Sequence, residues 1–145
     1  MDATGVSHIA MCVQDVEKSL AFYRDILGLR VTLDQVQDTT AGGLPHVYHH
    51  ARKTRRTVHL RYGEGSTIPS LVVTSHPNED SDGHPIKPDQ VGISHLSFTV
   101  RDVKTLAAEL IAKGVQLAAP LEILPAATKG LISSAAIVYL RKPRS

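Results

Sequence analysis

The sequence contains no tryptophan, only two phenylalanines and four tyrosines, and a single cysteine, Cys12. One cysteine excludes an intrachain disulfide. So few aromatic rings leave little surface for stacking a planar ligand. No apolar run approaches the roughly 20 residues that a membrane-spanning helix needs. The N-terminus lacks the charged and apolar regions of a secretory signal, so the expectation is a cytoplasmic protein. A formal net charge of +2 is too small to imply a nucleic-acid partner. Nor does the chain carry a Ser-His-Asp order, a phosphate-cradling glycine loop or a zinc-finger spacing; Gly42-Gly43 and Gly63-Glu64-Gly65 read as turns.

What is present is a repeat. The stretch Gly5-Val6-Ser7-His8-Ile9-Ala10-Met11-Cys12-Val13-Gln14-Asp15-Val16 aligns with Gly92-Ile93-Ser94-His95-Leu96-Ser97-Phe98-Thr99-Val100-Arg101-Asp102-Val103 at a constant offset of 87. Six of the twelve positions are identical, and Val6/Ile93, Ile9/Leu96 and Met11/Phe98 keep their apolar character. A repeat of this kind makes two similar halves, each opening with a strand that carries a histidine.

Val6 to Val13 alternates with period two, which predicts a strand. Ile9, Met11 and Val13 take one side; His8, Ala10 and Cys12 take the other, away from the helix that the apolar side should meet. Asp15 is placed to cap that helix, since its carboxylate can accept from the unpaired amides of the first turn. Val16, Leu20, Tyr23 and Leu27 make the buried stripe, with Phe22 also in the core, and Gly28 is the left-handed stop. Further strands follow at Leu29 to Val36, within Val47 to Gly63 (clearest over Thr57 to Tyr62) and at Ser70 to Ser75. The first half therefore reads βαβββ. The basic cluster Arg52-Lys53-Thr54-Arg55-Arg56 reads as a solvated hairpin tip. His76 to Gln90, with three prolines and four acids, reads as a linker. In the second half Ile93 to Val100 is the strand, Asp102 the cap, Val103, Leu106, Leu110 and Ile111 the stripe, and Gly114 the stop. Strands follow within Val115 to Leu124 and Leu131 to Arg141, one fewer than in the first half. The expected architecture is a single α+β domain over 1–145: module one at 1–77, a linker at 78–90, and module two at 91–145.

The paired βαβββ plan, with His-Ile-Ala-Met-Cys-Val-Gln-Asp-Val at its start and Phe22-Tyr23-Arg24-Asp25-Ile26-Leu27-Gly28-Leu29 at the helix end, resembles the vicinal oxygen chelate superfamily of glyoxalases, bleomycin-resistance proteins and extradiol dioxygenases. The resemblance implies that the two modules curl into one cup-shaped mixed sheet with helices outside. It also implies a divalent metal in the cup, a small oxygen-rich substrate and a homodimer. His8 and His95 match the first-strand metal ligands of the two modules. Strand alternation independently sends both imidazoles away from the helices. Fe, Zn, Mn and Ni are the candidate metals. Two departures stand out. Leu71-Val72-Val73-Thr74 has no carboxylate where some members place a glutamate. Val138-Tyr139-Leu140-Arg141 leads into Lys142-Pro143-Arg144-Ser145 rather than into a final strand bearing the usual acidic ligand, so no third protein ligand is found.

His59 and Arg61 lie on the polar side of their strand and are candidate substrate-binding groups, the arginine through its bidentate fork. The opposing reading is an exposed edge strand whose polar side meets water. Ser97 and Thr99, which share a side with His95, are candidate substrate contacts or plain solvent-side residues. His46-Val47-Tyr48-His49-His50 matches no defined metal spacing and reads as adventitious. Cys12 is either a metal-near thiol or a small buried hydrophobe. The leading expectation is a metal-dependent enzyme, a dioxygenase or a lyase or isomerase, with no residue clearly placed as its base. The rival is a metal-free binding protein of the bleomycin-resistance kind, which the missing carboxylates favour.

Overall fold

A computed structural model describes residues 3–64, 68–84, 86, 89–93, 95, 96, 98 and 100–115. The chain divides into two compact units, 1–84 and 85–145.

The first unit contains β1 (His8–Cys12), α1 (Val16–Tyr23), β2 (Arg30–Asp38), β3 (Thr54–Arg61) and β4 (Ser70–Ser75), the βαβββ order that the sequence predicts. A short 3₁₀ turn over Leu44–His46 interrupts the connection between β2 and β3. The four strands form one sheet in the order β1-β4-β3-β2. β1 runs parallel to β4, with His8 beside Ser70 and Ala10 beside Val72. β3 runs antiparallel to both its neighbours, with His59 beside Val72 on one side and Leu33 on the other.

Helix α1 starts where the sequence places it. The Asp15 carboxylate accepts from the Lys18 amide at 3.0 Å, satisfying one of the donors that a helix leaves unpaired at its start. The turn after the helix closes at Gly28, whose φ of 77° lies in the region that glycine adopts without a Cβ clash. Its amide bonds back to the Arg24 carbonyl at 3.1 Å. Val16 and Leu20 are buried beneath the helix. On the sheet side Val58, Leu60 and Val73 are fully buried. Alternation puts them on the same face as Met11, whose Sδ receives the Tyr23 hydroxyl at 3.7 Å. This apolar layer is the core of the unit, and burying it supplies most of the drive to fold.

Charge completes the helix-facing layer. Arg56 donates from Nε and Nη2 to the Asp34 carboxylate, at 2.9 and 2.7 Å, and from Nη1 to Glu17 of α1 at 2.7 Å. One guanidinium thus ties β2, β3 and α1 together. The cluster Arg52 to Arg56 is accordingly not a hairpin tip. Arg55 and Arg56 lie within β3, and the Arg52 side chain is only 12 % exposed, held by Glu79 and the Asp80 carbonyl. Alternating strand geometry sends Arg55 and Arg56 to opposite faces, where Gln37 and Asp34 receive them.

In the second unit α2 spans Val103–Ala112, and Asp102 accepts from the amides of Lys104 and Thr105 at 2.9 and 3.2 Å. Ala107 and Leu110 are its buried residues. Ile111, expected in the stripe, is 58 % exposed. At 100° per residue it falls one step beyond the face that Leu110 centres, and Ala107 takes that place. Gly114 stops the helix with a φ of 79°. Among the described residues of 91–100 none lies in a strand. The strands expected within Val115 to Leu124 and Leu131 to Arg141, and the shortened end of the second module, lie outside the described residues. So do Ser97 and Thr99. Among the described residues no helix is long and apolar enough to cross a membrane.

Candidate functional site

The sheet of the first unit has one face against α1 and one turned away from it. Register assigns the second face residue by residue. His59 stands beside Val72, Val72 beside Ala10, and His8 two residues along β1 from Ala10. Cys12, Ser70, Thr74, Thr57 and Arg61 fall on the same side by alternation. The expected pair His59 and Arg61 therefore shares a face with the expected metal ligand His8.

β3 lies inside the sheet, between β4 and β2, and is not an exposed edge strand. The edge-strand part of the opposing reading thus falls away, and His59 and Arg61 are both half-buried. An interior strand hydrogen-bonds on both sides, so its polar face is held in place.

The electrostatics of the face centre on His59. Partial burial pushes its imidazole below the ordinary value of 6.5, and the positive potential from His8, Arg61 and Arg55 pushes the same way. Such a ring is kept neutral by its surroundings and gains from any negative charge brought beside it. His8 is exposed, with Nδ1 3.0 Å from the Ser7 hydroxyl. Arg55 is occupied by Gln37, at 2.6 Å from Nη2. Cys12 is exposed rather than buried, and its Sγ lies 3.5 Å from the Ser81 hydroxyl.

Among the described residues, a metal expected on this face would find two imidazoles and a thiol but no acid. β4 contributes Ser70, Val72 and Thr74, and β2 contributes Leu33, Gln35 and Gln37. Among the described residues no carboxylate joins His8 and His59 in a metal-sized group. The donor set fits a metal in part only. The second expected ligand, His95, is an exposed residue of the other unit.

A different cluster does form, and only half of it was legible. His49 Nδ1 and His50 Nε2 lie 3.2 and 2.6 Å from Asp82 Oδ2. The two rings stand 4.1 Å apart, tilted by 46°. The histidines are conspicuous in sequence, but their partner comes from the acidic stretch read as a linker. That stretch is laced onto the first unit. Arg52 binds Glu79 and the Asp80 carbonyl, Glu79 accepts the Lys53 amide, and the Gln14 side-chain amide exchanges hydrogen bonds with the Ser81 backbone. Segments this far apart in sequence leave no spacing signal.

A βαβββ unit with its helix on one face and a histidine on the first strand of the other defines a module class, that of glyoxalase-type folds. Residues 5–126 match the family model of the Glyoxalase/Bleomycin resistance protein/Dioxygenase superfamily, and the chain belongs to that superfamily. Among solved structures, a glyoxalase family protein from Bacillus cereus superposes with a TM-score of 0.70 at 11 % identity, covering 86 % of this chain and 80 % of its own. A glyoxalase family protein from Enterococcus faecalis gives 0.63 at 17 % identity, covering 97 % and 90 %. The trypanothione-dependent glyoxalase I of Leishmania major gives 0.55 at 23 % identity, covering 85 % and 73 %. At these identities the likeness is one of fold. No curated protein matches the chain.

Proposed function

We propose that this protein binds a small oxygen-rich anion on the face that carries His8, His59 and Arg61, and that it acts on it as a metal-dependent enzyme of its superfamily. The observation that carries the reading is the convergence of these three groups on one held face, with the His59 imidazole held below its ordinary pKa first by partial burial and then by its positive neighbours. Arg61 supplies a permanent charge and a planar fork that suits two vicinal oxygens. His59, neutral near pH 7, supplies a nitrogen that can donate to an oxyanion or accept a proton from it. His8 and His95 are the residues that would hold a divalent metal. When bound, that metal would supply Lewis-acid polarisation of the substrate oxygens.

Calorimetric titration with oxalate tests the face. Wild type is expected to bind it, and His59→Ala and Arg61→Ala each to weaken binding about tenfold, in line with the worth of a charge-assisted hydrogen bond. Unchanged affinity in both variants refutes the assignment. A second reading, metal-free sequestration of a small molecule, is favoured by one specific feature: β4 presents Ser70, Val72 and Thr74 between the two histidine strands, with no acid among them. Elemental analysis separates the two. Loss of about one equivalent of metal on His8→Ala/His95→Ala supports the enzyme, and identical content in both supports sequestration.

A further inference from the structure

We infer a second divalent-cation site, distinct from the His8 face, formed by His49, His50 and Asp82. The three donor atoms lie within 4.8 Å of one another, with Asp82 Oδ2 as the shared vertex, 3.2 Å from His49 Nδ1 and 2.6 Å from His50 Nε2. Zinc–ligand bonds of about 2.0–2.2 Å put neighbouring donors about 3 Å apart, so the triangle already has the scale of a coordination face. Two imidazoles and a carboxylate on one side of an ion, with its other positions open to water, is a recurrent ligand set for imidazole-seeking divalent metals.

Two further features set this group apart from a chance meeting of surface side chains. The backbone around Asp82 is positioned from both flanks of the unit. Arg52 holds Glu79 and the Asp80 carbonyl, while Gln14 holds the Ser81 backbone. The imidazoles themselves are adjacent residues whose ring centroids lie 4.1 Å apart with a 46° tilt, so that one nitrogen of each reaches the same carboxylate oxygen. Without an ion, each ring can satisfy the carboxylate by donating an N–H. With an ion, the same nitrogens present lone pairs, and the ring protons sit on His49 Nε2 and His50 Nδ1. The ion would clip the 76–84 segment to the loop before β3, closing it without any new protein contact.

The test is calorimetric titration with Zn²⁺ in a His8→Ala/His59→Ala background, which removes the other face as a binding site. One equivalent is expected to bind. Asp82→Asn, which keeps the side chain's shape, is expected to weaken binding at least tenfold, and His49→Ala/His50→Ala to abolish it. All three residues are exposed, so the variants are expected to keep the wild-type circular dichroism spectrum. The inference is overturned if the background protein takes up no zinc, or if Asp82→Asn binds as tightly as its parent. Retained binding in His49→Ala/His50→Ala overturns it equally.

Discussion

At the scale of single residues, the chemistry rests on side chains whose surroundings oppose their charged or hydrogen-bonded state. His59 is one. Its folded pKa is lowered, first by burial and then by His8, Arg61 and Arg55, whereas the unfolded chain titrates near 6.5. Between those values the unfolded state binds more protons. The neutral ring's contribution to stability is therefore fully present above about 6.5 and is lost as pH falls through the folded value. Two-dimensional NMR of the ring should place His59 titrating below 6.5, and oxalate should move it back up, since a bound anion reverses the local potential. A midpoint at or above 6.5 without ligand contradicts this account. Tyr48 is the other. Its hydroxyl is buried and meets no hydrogen-bond partner among the described residues, with the ring edge-on to His76 at 5.2 Å. His76 itself is satisfied, since Nδ1 donates to the Thr54 carbonyl at 2.9 Å. An unpaired buried hydroxyl costs about 1–3 kcal/mol, so Tyr48→Phe should raise stability by about 1 kcal/mol in urea unfolding. A loss of that size would mean the hydroxyl has a partner.

At the scale of elements, the fold of the first unit was largely legible because its signals are local. Period-two alternation marks β1, a β-branched apolar run marks β4, and aspartates one residue before the helices mark their starts; Gly114 marks the end of α2, whereas α1 stops at Tyr23, short of the expected stop at Gly28. The polar side of β3 was legible for the same reason, but the sharing of one face by His59, Arg61 and His8 was not. What escaped the sequence is every feature in which distant segments meet. The order β1-β4-β3-β2, which makes β3 interior, does not follow from strand positions alone. Nor does the anchoring of the acidic stretch by Arg52 and Gln14, or the arrival of Asp82 at His49 and His50. Arg56 shows the energetic weight of such meetings. It bridges Asp34 and Glu17 and draws the Asp34 carboxyl below its ordinary range, chiefly through their hydrogen bond. Its side chain is a quarter exposed, so the network is worth more than a surface pair and less than a buried one. Arg56→Met should cost about 1–2 kcal/mol at neutral pH. The loss should shrink as pH falls through the folded pKa of Asp34, because the stability that a depressed carboxylate brings exists only above that point. A deficit that is equal at pH 7 and pH 3 would show that packing of the arginine stem, not charge, is responsible.

At the scale of the whole molecule, the chain carries a formal charge of only +2, yet one sheet face gathers His8, His59 and Arg61. A ligand held on that face binds only the folded chain, so ligand binding and global stability must be linked. A ligand that binds only the folded state adds RT ln(1 + [L]/Kd), which is about 2.7 kcal/mol at a hundredfold excess over Kd. Oxalate should therefore raise the melting temperature of the intact chain by several degrees, scaling with the logarithm of its concentration. His59→Ala/Arg61→Ala should melt independently of oxalate. The metal enters as a separate variable. If oxygen ligands are held through an ion on the His8 face, oxalate and Mn²⁺ together should stabilise more than the sum of each alone. His8→Ala should erase that excess while leaving any shift from His49, His50 and Asp82 in place. Strict additivity in the wild type would mean that anion and cation occupy independent sites, and that the cationic face works without a metal.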